Sequence, residues 1–141
     1  MTEDNNFFID ANVIMYSAGS EHEYKEPCLK VLDGLNKSFV SNFFINTEVI
    51  QEILYRYTYI NLKRQGIDLA LKALDLFENI LVINVDDILI FISLIEKYDF
   101  LFGRDALIVA NMLNNNLRKI ISTDKVFDRV EEIERIDPRS F

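Results

Sequence analysis

The sequence predicts an α/β fold in which a parallel sheet is covered on both faces by helices. Three observations carry this expectation. Short apolar runs recur along the chain, among them Phe7-Phe8-Ile9, Ile80-Leu81-Val82-Ile83 and Ile120-Ile121, as buried parallel strands require. Segments with helically spaced apolar residues lie between them, and strands alternating with helices argue for parallel pairing. No low-complexity linker, internal repeat or break in composition interrupts the pattern, so residues 1–141 are expected to form a single domain.

Taken in order, Asn6-Phe7-Phe8-Ile9-Asp10 is an apolar run ending in an acid, the pattern of a buried strand. Cys28, Val31, Leu32 and Leu35 recur at i, i+3, i+4 and i+7, an amphipathic helix closing near residues 34–37. Ser38-Phe39-Val40-Ser41 reads as a weak second strand. Val49, Ile50, Ile53, Leu54, Tyr57 and Ile60 mark a long helix from about residue 46 to 65, which Gly66 breaks. Leu69, Ala70, Ala73, Leu74 and Phe77 mark the next helix. Residues 80–85 form the clearest strand, and Asp86 or Asp87 can cap a helix running through Tyr98. Asp105 opens the following helix, whose inner stripe is Ala106, Val109, Ala110 and Leu113. Asn114-Asn115-Asn116 ends it, because Asn tolerates the left-handed backbone at helix ends. Residues 118–122 make a strand with Thr123-Asp124 at its tip. A short helix and a strand near residues 133–136 close the chain before Pro138.

Composition bounds the possible functions. Half of the chain is hydrophobic, which excludes overall disorder. A chain this long buries roughly 68–70% of the surface it exposes unfolded, so it needs no covalent staple. The longest apolar stretch, residues 88–95, is too short to span a bilayer, and residues 1–6 are acidic and polar, unlike a signal peptide. The single cysteine, Cys28, excludes a disulfide framework and a multi-cysteine zinc site. A soluble cytoplasmic protein without a membrane partner is expected. The formal charge of −8, from 15 Lys and Arg against 23 Asp and Glu, argues against direct phosphate binding by a basic stripe. Acidic chains meet phosphate by another route, in which clustered carboxylates hold divalent cations that supply the positive charge.

The position of the carboxylates therefore matters more than their number. Parallel sheets bind ligands beyond the carboxyl ends of their strands. Asp10 and Asp124 each follow a strand and so lie on that edge, with adjacent strands about 5 Å apart. Asp105 begins a helix, and Glu52 sits between Val49 and Ile53 beside an apolar stripe, so its carboxylate turns partly inward. Four carboxylates brought together cannot all remain ionised without cations between them. Oxygen-only ligation suits Mg²⁺ or Mn²⁺.

Four segments together resemble the acidic motifs of PIN domains, in order and spacing. They are Phe7-Phe8-Ile9-Asp10-Ala11-Asn12-Val13, Gln51-Glu52-Ile53-Leu54, Arg104-Asp105-Ala106-Leu107-Ile108-Val109-Ala110 and Ser122-Thr123-Asp124-Lys125-Val126-Phe127-Asp128. The resemblance covers nearly the whole chain and is strongest to the VapC-like toxin ribonucleases. It implies a three-layer α/β/α sandwich with a central parallel sheet, and Mg²⁺- or Mn²⁺-dependent cleavage of RNA phosphodiester bonds. Asp10 and Asp105 would be the principal metal ligands, Glu52 and Asp124 would complete the catalytic cluster, and Asp128 would replace or assist Asp124. Asn12 would hydrogen-bond Asp10 or water on the cation, and Ser122 would take the hydroxyl position of the last motif. Such chemistry needs no His as base, which fits a chain whose one His, His22, falls in a loop. The resemblance also implies a homodimer, with RNA as substrate and an antitoxin protein as partner.

Each residue has a plainer reading. Asp10 and Asp105 are also positioned to cap helices, Glu52 to reach solvent, and Asp128, one turn from Asp124, to be a solvated charge. Arg56, Arg104 and Lys125 flank the motifs and would hold phosphate near the metal, yet Glu52 and Arg56 are equally an i, i+4 ion pair. Tyr57 falls on the core side of its helix, whereas Tyr55 and Tyr59 share another face that suits a dimer or partner surface. Glu131-Glu132-Ile133-Glu134 reads as a solvated face and Cys28 as packing. Two other functions share the fold class: a non-catalytic RNA- or protein-binding module, and a phosphotransfer domain of the receiver or haloacid-dehalogenase type. Retention of all four acids favours the nuclease over the first. The second fits less well, because Asp10-Ala11-Asn12 lacks a second aspartate and no lysine sits at a clear strand end.

Overall fold

The computed structural model describes residues 5–37, 39, 42–101 and 103–141. Five strands, β1 (Phe7–Ile9), β2 (Phe43–Asn46), β3 (Asn79–Leu81), β4 (Lys119–Ile121) and β5 (Glu134–Ile136), form one sheet in the order β3-β2-β1-β4-β5. Every pairing is parallel, with Phe8 opposite Phe44 on one side and Ile120 on the other. Six helices connect the strands: α1 (Ala11–Ala18), α2 (Lys25–Asp33), α3 (Thr47–Tyr59), α4 (Lys63–Leu76), α5 (Val85–Lys97) and α6 (Gly103–Asn114). The chain steps from β1 outward to β3, then returns across the sheet to β4 and β5. Right-handed crossovers therefore put α1 to α4 on one face and α5 and α6 on the other, giving the expected α/β/α sandwich.

The central strands are buried on both sides, which is why they read as unbroken apolar runs. Phe8, Ile9, Phe43, Ile45, Ile120 and Ile121 have no solvent exposure, and burial of each contributes about 1.5–3 kcal/mol. No helix among the described residues is long and apolar enough to cross a membrane.

Several elements depart from the sequence expectation. Most of the strand expected at residues 38–41 lies outside the described residues; the second strand is β2, at Phe43–Asn46. Helix α1, which periodicity leaves unassigned, follows Asp10 at once. The helix expected over 46–65 ends at Tyr59, before Gly66. Asn61 takes φ +64, its N–H bonds the Thr58 carbonyl at 3.2 Å, and the Leu62 N–H bonds the Tyr57 carbonyl at 2.8 Å. These two bonds close a Schellman motif, with Asn in the place glycine usually holds. Gly66 lies instead inside α4, where a Cβ would come within 2.4 Å of the Tyr57 Cβ, so its role is to let α3 and α4 pack closely. Asn116, at φ +58, ends α6 with the same pair of bonds, as the Asn run predicts.

The strand expected over 80–85 pairs only at Asn79–Leu81, because Asn84 is committed to the start of α5. Its side chain accepts the Asp87 N–H at 3.1 Å, and Asp87 accepts the Asn84 N–H at 2.8 Å. The cap is thus Asn84 rather than Asp86 or Asp87, and Asp87 completes a reciprocal capping box.

Candidate active site

The strand order reverses between β1 and β4, so the connections leaving those two tips diverge and open a crevice between them. Asp10 and Ser122 are the residues that directly follow these strands. The Asp10 N–H continues the ladder to the Ile121 carbonyl at 3.1 Å, which fixes the height of Asp10 above the sheet.

Asp10 is buried and caps α1 by accepting the Ala11 N–H at 2.8 Å. Its other oxygen accepts the Ser122 hydroxyl at 2.6 Å and the Asn12 amide at 3.1 Å. The Asn12 amide also reaches Ser122 Oγ at 3.2 Å, while its carbonyl oxygen accepts the Thr123 N–H at 3.2 Å. Ser122 Oγ in turn accepts the Asp124 N–H at 3.0 Å. Asn12 and Ser122 thus lock the two strand tips together around one carboxyl group. Asp124 is exposed and accepts the Val126 N–H at 3.0 Å, starting a short 3-10 turn over Lys125–Arg129.

Glu52 from α3 and Asp105 from the first turn of α6 bring further negative charge to this point. Burial, then the charges of Glu52 and Asp105, push the Asp10 carboxyl up to about 7, against the opposing pull of its Ser122 and Ala11 hydrogen bonds. Burial also raises Glu52, which Asp105 and Glu48 push further up while Arg104 and Arg56 pull it down. Asp105 is raised by burial and by Asp124. The four acids therefore act on one another as a series of like charges. Among the described residues no three acids, His or Cys are drawn together tightly enough to hold an ion as they stand. The donor chemistry nevertheless fits a hard divalent cation, being oxygen throughout and electrostatically frustrated without one. Cys28 contributes nothing here, since it is buried away from the crevice and its thiol is pushed up to about 12.

The remaining candidates divide. The Arg104 guanidinium lies 3.8 Å from both Glu48 and Glu52 and 5.2 Å from the Tyr55 ring centroid. Arg56 is exposed and lines an open cleft of ≈450 Å³ together with Glu52, Asn12 and Asp124, and it forms no ion pair among the described residues. Lys125 is exposed at the start of the 3-10 turn. Asp128 is engaged by Arg135, whose guanidinium donates to both its oxygens at 2.9 and 3.1 Å. The same guanidinium donates to the Ser122 carbonyl at 2.9 Å, so Arg135 braces the residue that holds Asp10.

Sequence reasoning passes over Glu48, one turn before Glu52, and over Arg135, whose place beside Ser122 depends on the β4–β5 register. It also passes over a second buried polar group. Asp87, with no solvent exposure, accepts the Asn111 and Asn114 amides at 3.0 and 2.9 Å, and Asn111 accepts the Asn46 amide at 2.9 Å. Asn111 and Asn114 stand one turn apart and face Asp87 together, a spacing that was readable as one helix face.

The model of the PIN domain family matches residues 7–133, from β1 to the turn before β5. The chain belongs to the PIN domain family. Among curated relatives of this PIN domain, ribonuclease VapC13 of Mycobacterium tuberculosis is 30% identical, over 91% of this chain and 97% of that protein. Ribonuclease VapC2 of Methanocaldococcus jannaschii is 33% identical, over 96% of this chain and 95% of the relative. The PIN fold is shared with FitAcB from Neisseria gonorrhoeae, at TM-score 0.74 and 16% identity, covering 96% of this chain and 99% of that one. It is shared too with a toxin-antitoxin complex from Klebsiella pneumoniae, at TM-score 0.67 and 18% identity, covering 96% and 100%.

Proposed function

We propose that this PIN domain is a Mg²⁺- or Mn²⁺-dependent endoribonuclease and the toxin of a toxin–antitoxin pair. One observation carries the reading: a carboxyl group, Asp10, is buried at the point where the sheet opens and is faced by further acids instead of by cations. Relatives named as ribonucleases over nearly the full chain support the RNA substrate. Asp10, Glu52, Asp105 and Asp124 would hold the cation. When bound, it supplies positive charge to the phosphate and acidifies the attacking water.

The chain's own residues prepare that site. Asn12 and Ser122 orient Asp10, and Ser122 also sets the backbone of Asp124. Arg56 stands in the cleft as the cation able to meet a phosphate, whereas Arg104 is already engaged by two glutamates. Asp128 serves as the anchor of Arg135. Exposed apolar side chains on α5, including Val85, Ile88, Leu89 and Ile92, and the stacked Tyr55 and Tyr59 on α3 are assigned to a second copy and to an antitoxin protein.

The test is cleavage of mixed RNA by pure protein with Mn²⁺, with Mg²⁺ and with EDTA, alongside identically purified Asp105→Asn. The reading expects cleavage that needs the metal and vanishes in the variant. Activity that survives the substitution overturns the site assignment. Metal binding without cleavage of any RNA supports a binding module instead.

A further inference from the structure

We propose that Tyr16 and His22 form a stacking platform for a base of single-stranded RNA beside the acidic cleft, an inference that rests on the ribonuclease reading above. Tyr16 lies one turn after Asn12 on α1 and lines the same cleft as Glu52, Arg56 and Asp124. His22, in the loop that follows, lays its ring against Tyr16 with centroids 4.6 Å apart and planes 31° apart. Tyr24 completes a trio, 5.5 Å from Tyr16 and 6.1 Å from His22, nearly parallel to the latter at 12°.

Tyr24 ties the trio to the last residues of the chain. The Tyr24 hydroxyl donates to Asp137 at 2.9 Å, and the Arg139 guanidinium covers the Tyr24 ring at 4.7 Å. The Tyr24 N–H donates to His22 Nδ1 at 3.1 Å and so fixes the imidazole plane. His22 is exposed, leaving it as the outermost ring of the stack. An exposed ring flanked by Glu21 and Glu23 has no apolar core to join, yet Tyr16 packs against it and the Tyr24 N–H holds its Nδ1.

The cleft and the rings at its edge, which join it through Tyr16, thus offer separate features for separate parts of a nucleotide. The acids meet the scissile phosphate through a cation, Arg56 faces a neighbouring phosphate, and the rings face a base. Base–aromatic stacking is tolerant of sequence and requires an unpaired base, whose faces a duplex would hide. The ligand class is therefore single-stranded RNA, bound with one base beside the cut laid on the outer face of His22, which Tyr16 backs.

The experiment uses a short single-stranded RNA with one mapped cut and a series in which each nucleotide in turn is abasic. Steady-state cleavage in Mn²⁺ is measured for the wild type, His22→Ala and His22→Phe, with melting temperatures alongside. The wild type is expected to show one abasic position near the cut that raises KM about 10-fold. His22→Ala should raise KM on intact RNA by a similar factor with kcat and melting temperature held, and should erase the effect of that abasic position. His22→Phe should restore it, since the ring is what matters. Cleavage with an unchanged abasic profile in His22→Ala overturns this inference alone. No cleavage by the wild type overturns the ribonuclease reading and this inference with it.

Discussion

Two aspartates are buried among the described residues of this PIN domain, and their surroundings differ in kind. Asp87 accepts three N–H groups, from the Asn84 backbone and the Asn111 and Asn114 amides, at 2.8, 3.0 and 2.9 Å. Those donors belong to α6 and to the start of α5, so the carboxylate ties two helices together through Asn111 to the cap of α3. Asp10 also accepts three donors, but Glu52 and Asp105 face it as well and raise its proton affinity. A structural carboxylate is ringed by donors until its charge is satisfied. On the proposed reading, Asp10 is left with repulsion that an incoming cation would relieve.

That contrast breaks first at the acids themselves. Asp105→Asn should reduce RNA cleavage by more than the roughly 10–100-fold typical of groups that merely support a ligand. It should also leave the melting temperature unchanged or raise it, because a like charge beside Asp10 and Asp124 is removed. A large loss of stability in this variant would show that Asp105 is structural. Asp87→Ala is expected to behave in the opposite way. Three buried N–H donors lose their acceptor, costing about 2–4 kcal/mol in denaturant unfolding, while cleavage per folded molecule holds.

The two kinds of site were unequally legible in the sequence. Asp10 and Asp124 stood out because an acid that ends an apolar run is placed at a strand tip, and strand tips are where α/β sheets bind ligands. Glu52 showed by its place beside the α3 stripe. Asp87 showed only as a candidate helix cap, because its partners are 24 and 27 residues away and an Asn run at a helix end reads first as a stop signal. Strand β2 was hidden for a related reason: Phe43-Phe44-Ile45 runs straight into α3, so its apolar residues merge with the helical stripe. The α3–α4 break was misplaced at Gly66 because glycine is the commoner signal, whereas Asn61 supplies the left-handed residue. Arg135 could not be placed without the register that sets it beside Ser122.

The pH dependence sharpens the contrast further. The folded carboxyl of Asp10 titrates at about 7 against an ordinary value of 3.8, so the folded state holds a proton that the unfolded chain has lost. Stability of the cation-free protein must then fall as pH rises between those values and level off above them. Melting temperatures of the wild type and Asp10→Asn across that window should converge at its acid end, with the variant gaining on the wild type toward neutrality. Parallel curves would remove Asp10 from the frustrated set. Arg135→Met probes a smaller effect. Losing the brace on the Ser122 carbonyl should weaken Mn²⁺ binding about 10-fold in calorimetric titration, with Asp128→Asn weaker in effect because the carbonyl bond remains.

The most direct measurement is the proton count on Mn²⁺ binding. Calorimetric titration of the wild type at pH 6 in two buffers of different ionisation enthalpy gives the number of protons released. With the Asp10 carboxyl holding its proton up to about 7, cation binding should release about one proton, and Asp10→Asn should lose that release. Mn²⁺ bound without proton release, or no binding by a folded wild type, would contradict the assignment of Asp10 as the acid that a cation satisfies.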